Sequence, residues 1–229
     1  MSRPLLVLRP PPAGRRTAAI LRALGHEAVE APLFTIRPLA WTPPPAGGFD
    51  ALALTSANAA AHAGPELARY RDLPAFVVGD ATARAATSAG LDVRHIGHGD
   101  GAALAEAAAR AGVRRMLHLC GREHRPLRGE IEVTACPVYA AEAGDALPPA
   151  ALEAIDRGGV VLLHSPRAAA LFAGLADAAG LRRDAILLAA ISANAAASAG
   201  AGWKAVTVAE QPSDDALLAA ALAMCDHPG

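Results

Sequence analysis

The order of apolar and polar positions along the chain is that of short buried strands alternating with helices. Runs of consecutive apolar residues, such as 52–54 and 160–163, are typical of parallel strands that are covered on both faces. Alanine-rich helical segments follow, and Gly25 and Gly90 provide the expected stops at helix ends. The alternation predicts an α/β fold in which mostly parallel sheets are flanked by helices.

Predicted strands cover about residues 4–8, 28–31, 52–54, 75–78, 93–96, 115–119, 131–135, 160–163, 185–191 and 205–208. Predicted helices include about residues 14–24, 80–89 and 100–111, together with a last helix capped by Ser213.

One motif occurs twice: an apolar strand that ends in polar residues and continues into a helix rich in small residues. The copies are residues 52–60 and 161–169, and a second aligned pair follows at 78–83 and 191–196. The repeat predicts two similar lobes. Each copy places a helix N-terminus at the carboxyl end of a strand, where free N–H groups favour negative charge. We therefore expect a cleft that binds an anionic ligand.

The distribution of the predicted strands assigns the chain to two lobes. The first segment carries two strands and the last carries three, so together they make a five-stranded sheet like that of the middle segment. We predict a discontinuous outer lobe of residues 1–35 and 142–229 and an inserted lobe of residues 38–138. Hinge crossovers at residues 33–39 and 137–141 would join them.

Composition narrows the class of protein. With 229 residues, 53% of them hydrophobic, the chain can bury two cores of about 100 residues each. A net charge of −1 disfavours a nucleic-acid partner. The sequence contains no long apolar run or signal-peptide pattern, so we expect a cytoplasmic protein and no membrane partner. Cys120, Cys136 and Cys225 match no zinc or disulfide spacing, so we expect no metal.

Six short motifs are distributed from one end of the chain to the other. They are residues 7–10, 23–32, 54–58, 77–83, 138–139 and 163–166. In this order and spacing they resemble the uroporphyrinogen III synthase family. The resemblance implies two lobes joined by two crossover strands and a reaction without a cofactor. In that reaction the linear hydroxymethylbilane loses water and closes to a ring while its ring D is inverted through a spiro intermediate. It also implies a link to the preceding, hydroxymethylbilane-forming enzyme.

Tyr139 is the candidate catalytic residue, because it matches the tyrosine of the family's Val-Tyr motif. Loss of the hydroxymethyl oxygen gives an azafulvene-like cation that the substrate's own pyrrole nitrogen stabilises, so the enzyme needs an acid rather than a nucleophile. A phenol is protonated at neutral pH and can serve as this acid. The alternative is a tyrosine that packs against the hinge.

Polar residues at the strand–helix turns are candidate substrate contacts. Thr82 can cap its helix, contact a substrate arm, or both. Ser165 followed by Pro166 is the pattern of a helix cap, which is a sufficient structural reason for both residues. The family often has Gly and Thr where this chain has Ser192 and Ala195. The full set is Thr55, Ser56, Asn58, Thr82, Ser165, Pro166, Ser192 and Asn194.

Arginines supply the candidate cations for the carboxylates of the substrate. Arg9 follows the first strand, and strand ends face the ligand in open α/β sheets. Gly121 and Arg122 begin an arginine-rich loop after another strand. A solvated surface loop is the alternative for each arginine of that loop.

A second function class fits the same pattern. A two-lobed protein that binds an anion or a tetrapyrrole without catalysis would have the same predicted fold, and so would a degenerate copy of the synthase. Assay of type III against type I uroporphyrinogen separates these possibilities. No exposed heptad or large apolar stripe is evident, so we expect a monomer.

Overall fold

The computed structural model describes residues 3–97 and 101–226. It divides into two compact units. Unit 1 combines the described residues up to Thr35 with those from Ala143 onward, and unit 2 is Ile36–Glu142. The chain therefore passes from one unit to the other twice.

The strands and helices follow the predicted alternation. The strands are β1 (Leu5–Val7), β2 (Ala28–Glu30), β3 (Phe34–Pro38), β4 (Ala51–Leu54), β5 (Pro74–Val78), β6 (Asp92–Gly97), β7 (Arg115–Gly121), β8 (Glu132–Ala143), β9 (Val160–Leu163), β10 (Leu187–Ala190) and β11 (Ala205–Val208). The helices are α1 (Ala13–Ala23), α2 (Ala57–His62), α3 (Asp80–Ser88), α4 (Gly101–Arg110), α5 (Pro149–Asp156), α6 (Pro166–Ala178), α7 (Ala193–Ala199) and α8 (Asp214–Asp226). Asp100, the predicted first residue of α4, lies outside the described residues.

The sheet of unit 1 has five strands in the order β11-β10-β9-β1-β2, and its paired strands are parallel. β1, β9 and β10 are buried at every position. Their apolar side chains therefore contribute to packing on both faces of the sheet, against helices that include α1 and α8.

The sheet of unit 2 has six strands in the order β3-β8-β7-β4-β5-β6. Five of them are parallel. The sixth, β3, is the segment that we expected to be a crossover, and it pairs with β8. Hydrogen bonds from Leu39 N to Val138 O (2.9 Å) and from Gly144 N to Leu33 O (2.9 Å) show that this pair is antiparallel. The predicted α/β class with two helix-flanked, mostly parallel sheets is confirmed.

The repeated motif occupies the same place in both sheets. β9 lies between β10 and β1, just as β4 lies between β5 and β7. Each of these central strands runs directly into a helix capped by a serine, Ser165 in unit 1 and Ser56 in unit 2. The five parallel strands of unit 2 thus have the same order as the five strands of unit 1, in which β1 and β2 come from the beginning of the chain.

Small residues allow the helices to pack closely on these sheets. In unit 2, Ala59 of α2 and Ala83 and Ala86 of α3 lie in one buried cluster with Leu52 and Val77. Within the described residues, no helix combines the length and the apolar character needed to cross a membrane.

Replacing Gly159, which directly precedes β9, tests the packing of unit 1. A Cβ atom at position 159 would lie 2.6 Å from Leu6 Cδ1, 2.7 Å from Ala154 O and 2.9 Å from Pro4 O. Because two of these atoms belong to the backbone, we expect Gly159→Ala to lower the free energy of unfolding by about 1–3 kcal/mol. Denaturant unfolding followed by circular dichroism measures this change.

Gly174→Ala is the matched control. Gly174 lies inside α6, and a Cβ atom there would have no heavy atom within 4 Å. The free energy of unfolding of this variant should be unchanged or higher by up to about 1 kcal/mol, because alanine has a higher helix propensity than glycine. Equal stability of the two variants would contradict the proposed packing constraint.

Candidate functional site

Three neighbouring strands of unit 2 bring candidate residues to one edge of the sheet. β8, β7 and β4 are adjacent and parallel, so their carboxyl ends lie side by side. Thr55 and Ser56 follow β4, Gly121 ends β7, and Tyr139 is paired with Gly121 on β8. The structure thus brings together four residues that the sequence analysis proposed separately.

The Tyr139 ring lies against the backbone of Gly121. A Cβ atom at position 121 would be 2.9 Å from Tyr139 Cζ, so a larger residue would displace the ring. The backbone fixes the same position, because Arg122 N donates to Tyr139 O at 2.8 Å. Gly121 therefore has a steric role beside the tyrosine. Whether Gly121 and the exposed Arg122 also contact substrate stays a prediction.

Burial keeps the Tyr139 phenol protonated. It is the largest cause of a raised pKa, and the nearby Cys120 and Glu123 act in the same direction. A hydrogen bond with the Ser56 side chain opposes the rise. At neutral pH the phenol thus carries its proton and has a hydrogen-bond partner at the start of α2.

Ser56 is also the N-cap of α2, and its Oγ accepts from Asn58 N at 3.2 Å. Asn58 lies in the first turn of the same helix, and both side chains are partly exposed. Accepting this bond uses a lone pair of Ser56 Oγ and leaves its hydroxyl proton for another acceptor. Capping and substrate contact are therefore chemically compatible at Ser56.

Thr55 contacts a histidine that the sequence analysis missed. Thr55 Oγ1 lies 3.2 Å from Nε2 of His118 on β7, and His118 is fully buried. Burial, with a smaller contribution from His124, lowers the pKa of His118 to about 4. The imidazole is therefore neutral at physiological pH and fixes the Thr55 side chain without carrying charge.

The predicted capping role of Thr82 is wrong. The N-cap of α3 is Gly79, with φ +79°, and the helix has no side-chain cap. Because the helix starts at Asp80, Thr82 falls within its first turn, where it is 4% exposed and its N–H donates to Gly79 O. Contact between Thr82 and substrate stays a prediction.

In unit 1, Arg9 is paired with an acidic residue rather than left open at the strand end. Its Nη1 lies 2.8 and 2.7 Å from the two carboxylate oxygens of Asp214, in the first turn of α8. The side chains are 25% and 31% exposed, so solvent screens the pair only partly. A substrate carboxylate at Arg9 would share the guanidinium with Asp214.

His164 follows β9 beside this ion pair. Its pKa is lowered to about 4, mainly by burial and also by the positive charge of Arg9, whereas Asp214 acts in the opposite direction. Both ring nitrogens are buried, and neither has a hydrogen-bond partner within the described part of the chain. Protonating His164 in the folded protein is therefore unfavourable.

The other candidates of unit 1 occupy helix starts. Ser165 caps α6 by accepting from Ala168 N at 3.1 Å, with Pro166 at the first helical position. Ser192 caps α7 by accepting from Ala195 N at 3.2 Å. The N–H of Ala195, one of the backbone donors expected at this turn, is therefore already used within the protein. Asn194 is exposed. The capping interpretation of Ser165 holds, the cap by Ser192 was not predicted, and the substrate role of all four residues stays a prediction.

Comparison with known proteins identifies the family. Residues 15–219 match the family model described as Uroporphyrinogen-III synthase HemD. The fold is similar to that of uroporphyrinogen-III synthetase from Helicobacter pylori 26695, with 17% identity, a TM-score of 0.64, and coverage of 98% of this chain and 100% of that one. It is also similar to a mutant uroporphyrinogen III synthase from Thermus thermophilus, with 18% identity, a TM-score of 0.50, and coverage of 99% and 100%. A search of curated protein sequences gave no significant match.

The buried His164 predicts a specific dependence of stability on pH. The unfolded chain binds a proton at His164 near pH 6.5, whereas the folded protein binds it only near pH 4. Stability is therefore lost as pH falls from about 6.5 towards 4. We expect His164→Asn to remove on the order of 1–2 kcal/mol of the loss that the wild type shows between pH 7 and pH 5.

Denaturant unfolding of both proteins at pH 7 and pH 5 measures this difference. For each protein, the difference between its free energies of unfolding at pH 7 and pH 5 is compared. A loss of stability that the substitution causes equally at both pH values therefore cancels. The same loss in variant and wild type would show that protonation of His164 is not disfavoured by folding.

Proposed function

The chain belongs to the uroporphyrinogen-III synthase family, enzymes of tetrapyrrole biosynthesis, and we propose that it converts hydroxymethylbilane to uroporphyrinogen III at the strand edges described above. The observation that carries this function is the family match across residues 15–219. The non-catalytic alternative has no comparable support, because the matched family is one of enzymes.

In the proposed reaction the hydroxyl of the hydroxymethyl group receives a proton and leaves as water, while its methylene carbon stays on the pyrrole. The resulting azafulvene-like cation is stabilised by its pyrrole nitrogen, and the substituted carbon of ring D attacks it to give the spiro intermediate. Rearrangement and ring closure then release a proton from the substrate, which restores the acid. The chain's residues must supply this acid and hold the two ends of the substrate together.

We assign the acid to Tyr139. Its burial favours the protonated phenol, and its position against Gly121 restricts the ring to one place at the sheet edge. Ser56 is a hydrogen-bond partner that can orient the phenol. A donor that is neutral before the reaction suits a step in which positive charge develops on the substrate, because a cationic acid would repel that charge.

The remaining candidates are proposed to hold the acetate and propionate arms. In unit 2 the residues are Thr55, Ser56, Asn58, Thr82, Gly121 and Arg122, and in unit 1 they are Arg9, Ser165, Pro166, Ser192 and Asn194. The contacts of Arg9 with Asp214 both use Nη1, so Nη2 can donate to a carboxylate in addition. Pro166 lacks an N–H and contributes by fixing the start of α6.

We further propose that the enzyme works as a cytoplasmic monomer and receives its linear tetrapyrrole from the enzyme that forms hydroxymethylbilane. The supporting feature is the chemistry of the substrate. Because its closure without inversion gives the type I ring, rapid transfer between the two enzymes would protect the intermediate.

Tyr139→Phe tests the assignment of the acid. Removing the phenol oxygen should lower kcat by about 10²-fold. The fraction of type I product should rise, because closure without inversion competes with the slower enzyme. Turnover of hydroxymethylbilane and separation of the type I and type III isomers measure both effects. Nearly full turnover with an unchanged isomer ratio would exclude Tyr139 as the acid.

Two variants sharpen this test. Tyr70→Phe is the matched control, since Tyr70 is fully buried and donates to Pro44 O at 2.8 Å within unit 2; it should keep turnover even if stability falls. Gly121→Ala keeps the hydroxyl but displaces the Tyr139 ring, and it should lower kcat in the same direction as Tyr139→Phe.

A further inference from the structure

Three side chains at the carboxyl end of β7 form a compact group of possible metal ligands. His118, Cys120 and His124 each offer one ligand atom, and these atoms all lie within 4.8 Å of one another. His118 and Cys120 are two residues apart on the strand and therefore point to the same face, while His124 comes from the loop that follows. We call this group the His–Cys–His cluster.

The first histidine has an unused ring nitrogen. His118 is fully buried, and its Nδ1 has no hydrogen-bond partner among the described residues. A buried polar atom without a partner costs about 1–3 kcal/mol. The other nitrogen, Nε2, lies 3.2 Å from Thr55 Oγ1. When Nε2–H donates to this hydroxyl, Nδ1 carries the lone pair that a metal ion requires.

The second histidine is oriented by the backbone. Nδ1 of His124 lies 3.0 Å from Gly121 O. A carbonyl oxygen can only accept, so Nδ1 carries the proton and Nε2 keeps a lone pair. Metal-binding histidines in proteins almost always donate their other N–H to a carbonyl, a carboxylate or a water in this way. The two rings lie edge to face, with centroids 5.6 Å apart.

The third ligand is a thiol with restricted access to water. Cys120 is 2% exposed, and its sulfur is not part of a disulfide. A set of two imidazoles and one thiolate suits a borderline or soft transition-metal ion and does not suit Mg²⁺ or Ca²⁺, which require oxygen ligands. Three protein ligands leave a fourth position for water.

We propose that His118, Cys120 and His124 form a binding site for one ion of the Zn²⁺ class. Zn–S and Zn–N bonds of about 2.3 and 2.0–2.1 Å place tetrahedral ligands roughly 3.3–3.6 Å apart. A separation of 4.8 Å, the upper limit in the cluster, must therefore shorten by roughly 1.2–1.5 Å when the ion binds; His124 lies in the loop after β7, not in the strand. Its spacing, His-x-Cys-x-x-x-His, is none of the usual zinc signatures, which is why the sequence analysis expected no metal.

Cobalt binding to the full chain tests the site, with Co²⁺ as the spectroscopic probe for Zn²⁺. After removal of metal with a chelator, titration with Co²⁺ should give one bound ion per chain. It should also give the near-ultraviolet charge-transfer band of a cobalt–thiolate bond and the visible bands of a tetrahedral site. Added Zn²⁺ should abolish both signals. This binding is independent of the proposed synthase reaction and can succeed or fail without it.

Variants assign the ligands. Cys120→Ser should abolish the charge-transfer band, whereas the matched controls Cys136→Ser and Cys225→Ser should keep the band and the affinity for Co²⁺. Thr55→Val removes the partner of His118 Nε2 and leaves all three metal ligands in place, so it should retain the band and weaken Co²⁺ binding about 10-fold. Each protein is first compared with the wild type by circular dichroism.

His124→Gln is the second test, used if Cys120→Ser does not fold. His124 lies at a partly exposed loop position, so its replacement should not prevent folding. It should weaken Co²⁺ binding by at least about 10-fold while keeping the fold. Absence of a cobalt–thiolate band in the wild type would overturn the proposal. The proposal would also be overturned if the band survived Cys120→Ser or were lost in Cys136→Ser. The same holds if His124→Gln changed neither the intensity of the band nor the affinity for Co²⁺.

Discussion

The parallel pairing of buried strands determines where the candidate functional groups of this protein lie. β4 and β9 are apolar at every position, so helices cover both faces of each sheet and the chain can turn only beyond the strand ends. Since parallel strands end at the same edge, the polar residues of the turns collect there. Thr55 and Ser56 lie in such a turn, and Tyr139 on β8 is paired with Gly121, the last residue of β7, so the three come together although they belong to distant parts of the chain.

The elements with local signals were the ones that the sequence could predict. The buried strands stand out because they are continuous apolar runs, and the caps by Ser165 and Ser213 were predicted because a cap needs only the next few residues. β8 was predicted too short. It continues through Pro137, and its pairing with β7 shifts register at Cys120/Gly121. The longer strand is stabilised by its pairing with β7 and β3, and this pairing cannot be predicted from the local sequence.

The contacts that the sequence could not predict join distant residues. Arg9 and Asp214 are 205 positions apart, and Thr55 and His118 are 63 apart. Each pair forms because the strand order brings two distant segments to one edge of a sheet, and the strand order cannot be read from either segment alone. The error at Thr82 has a different cause. α3 starts at Asp80, as predicted, so Thr82 lies inside its first turn; the N-cap is Gly79, and glycine gives no side-chain signal for a cap.

The two copies of the repeat have diverged in charge, and the strand register shows how. Because Val7 pairs with Leu162 and His118 pairs with Ala53, Arg9 of unit 1 occupies the position that Cys120 has in unit 2. The motif alignment likewise places His164 where unit 2 has Thr55. Unit 1 therefore carries a cation that Asp214 balances. The Tyr139 edge of unit 2 instead presents a phenol kept protonated by burial.

This difference suits two separate tasks in one reaction. A partly buried guanidinium keeps its charge at any physiological pH and can hold a carboxylate, but it cannot deliver a proton. A buried phenol can deliver one and, being neutral, does not oppose the cation that forms on the substrate. The asymmetry of the repeat thus supports proton transfer in unit 2 and carboxylate binding in unit 1.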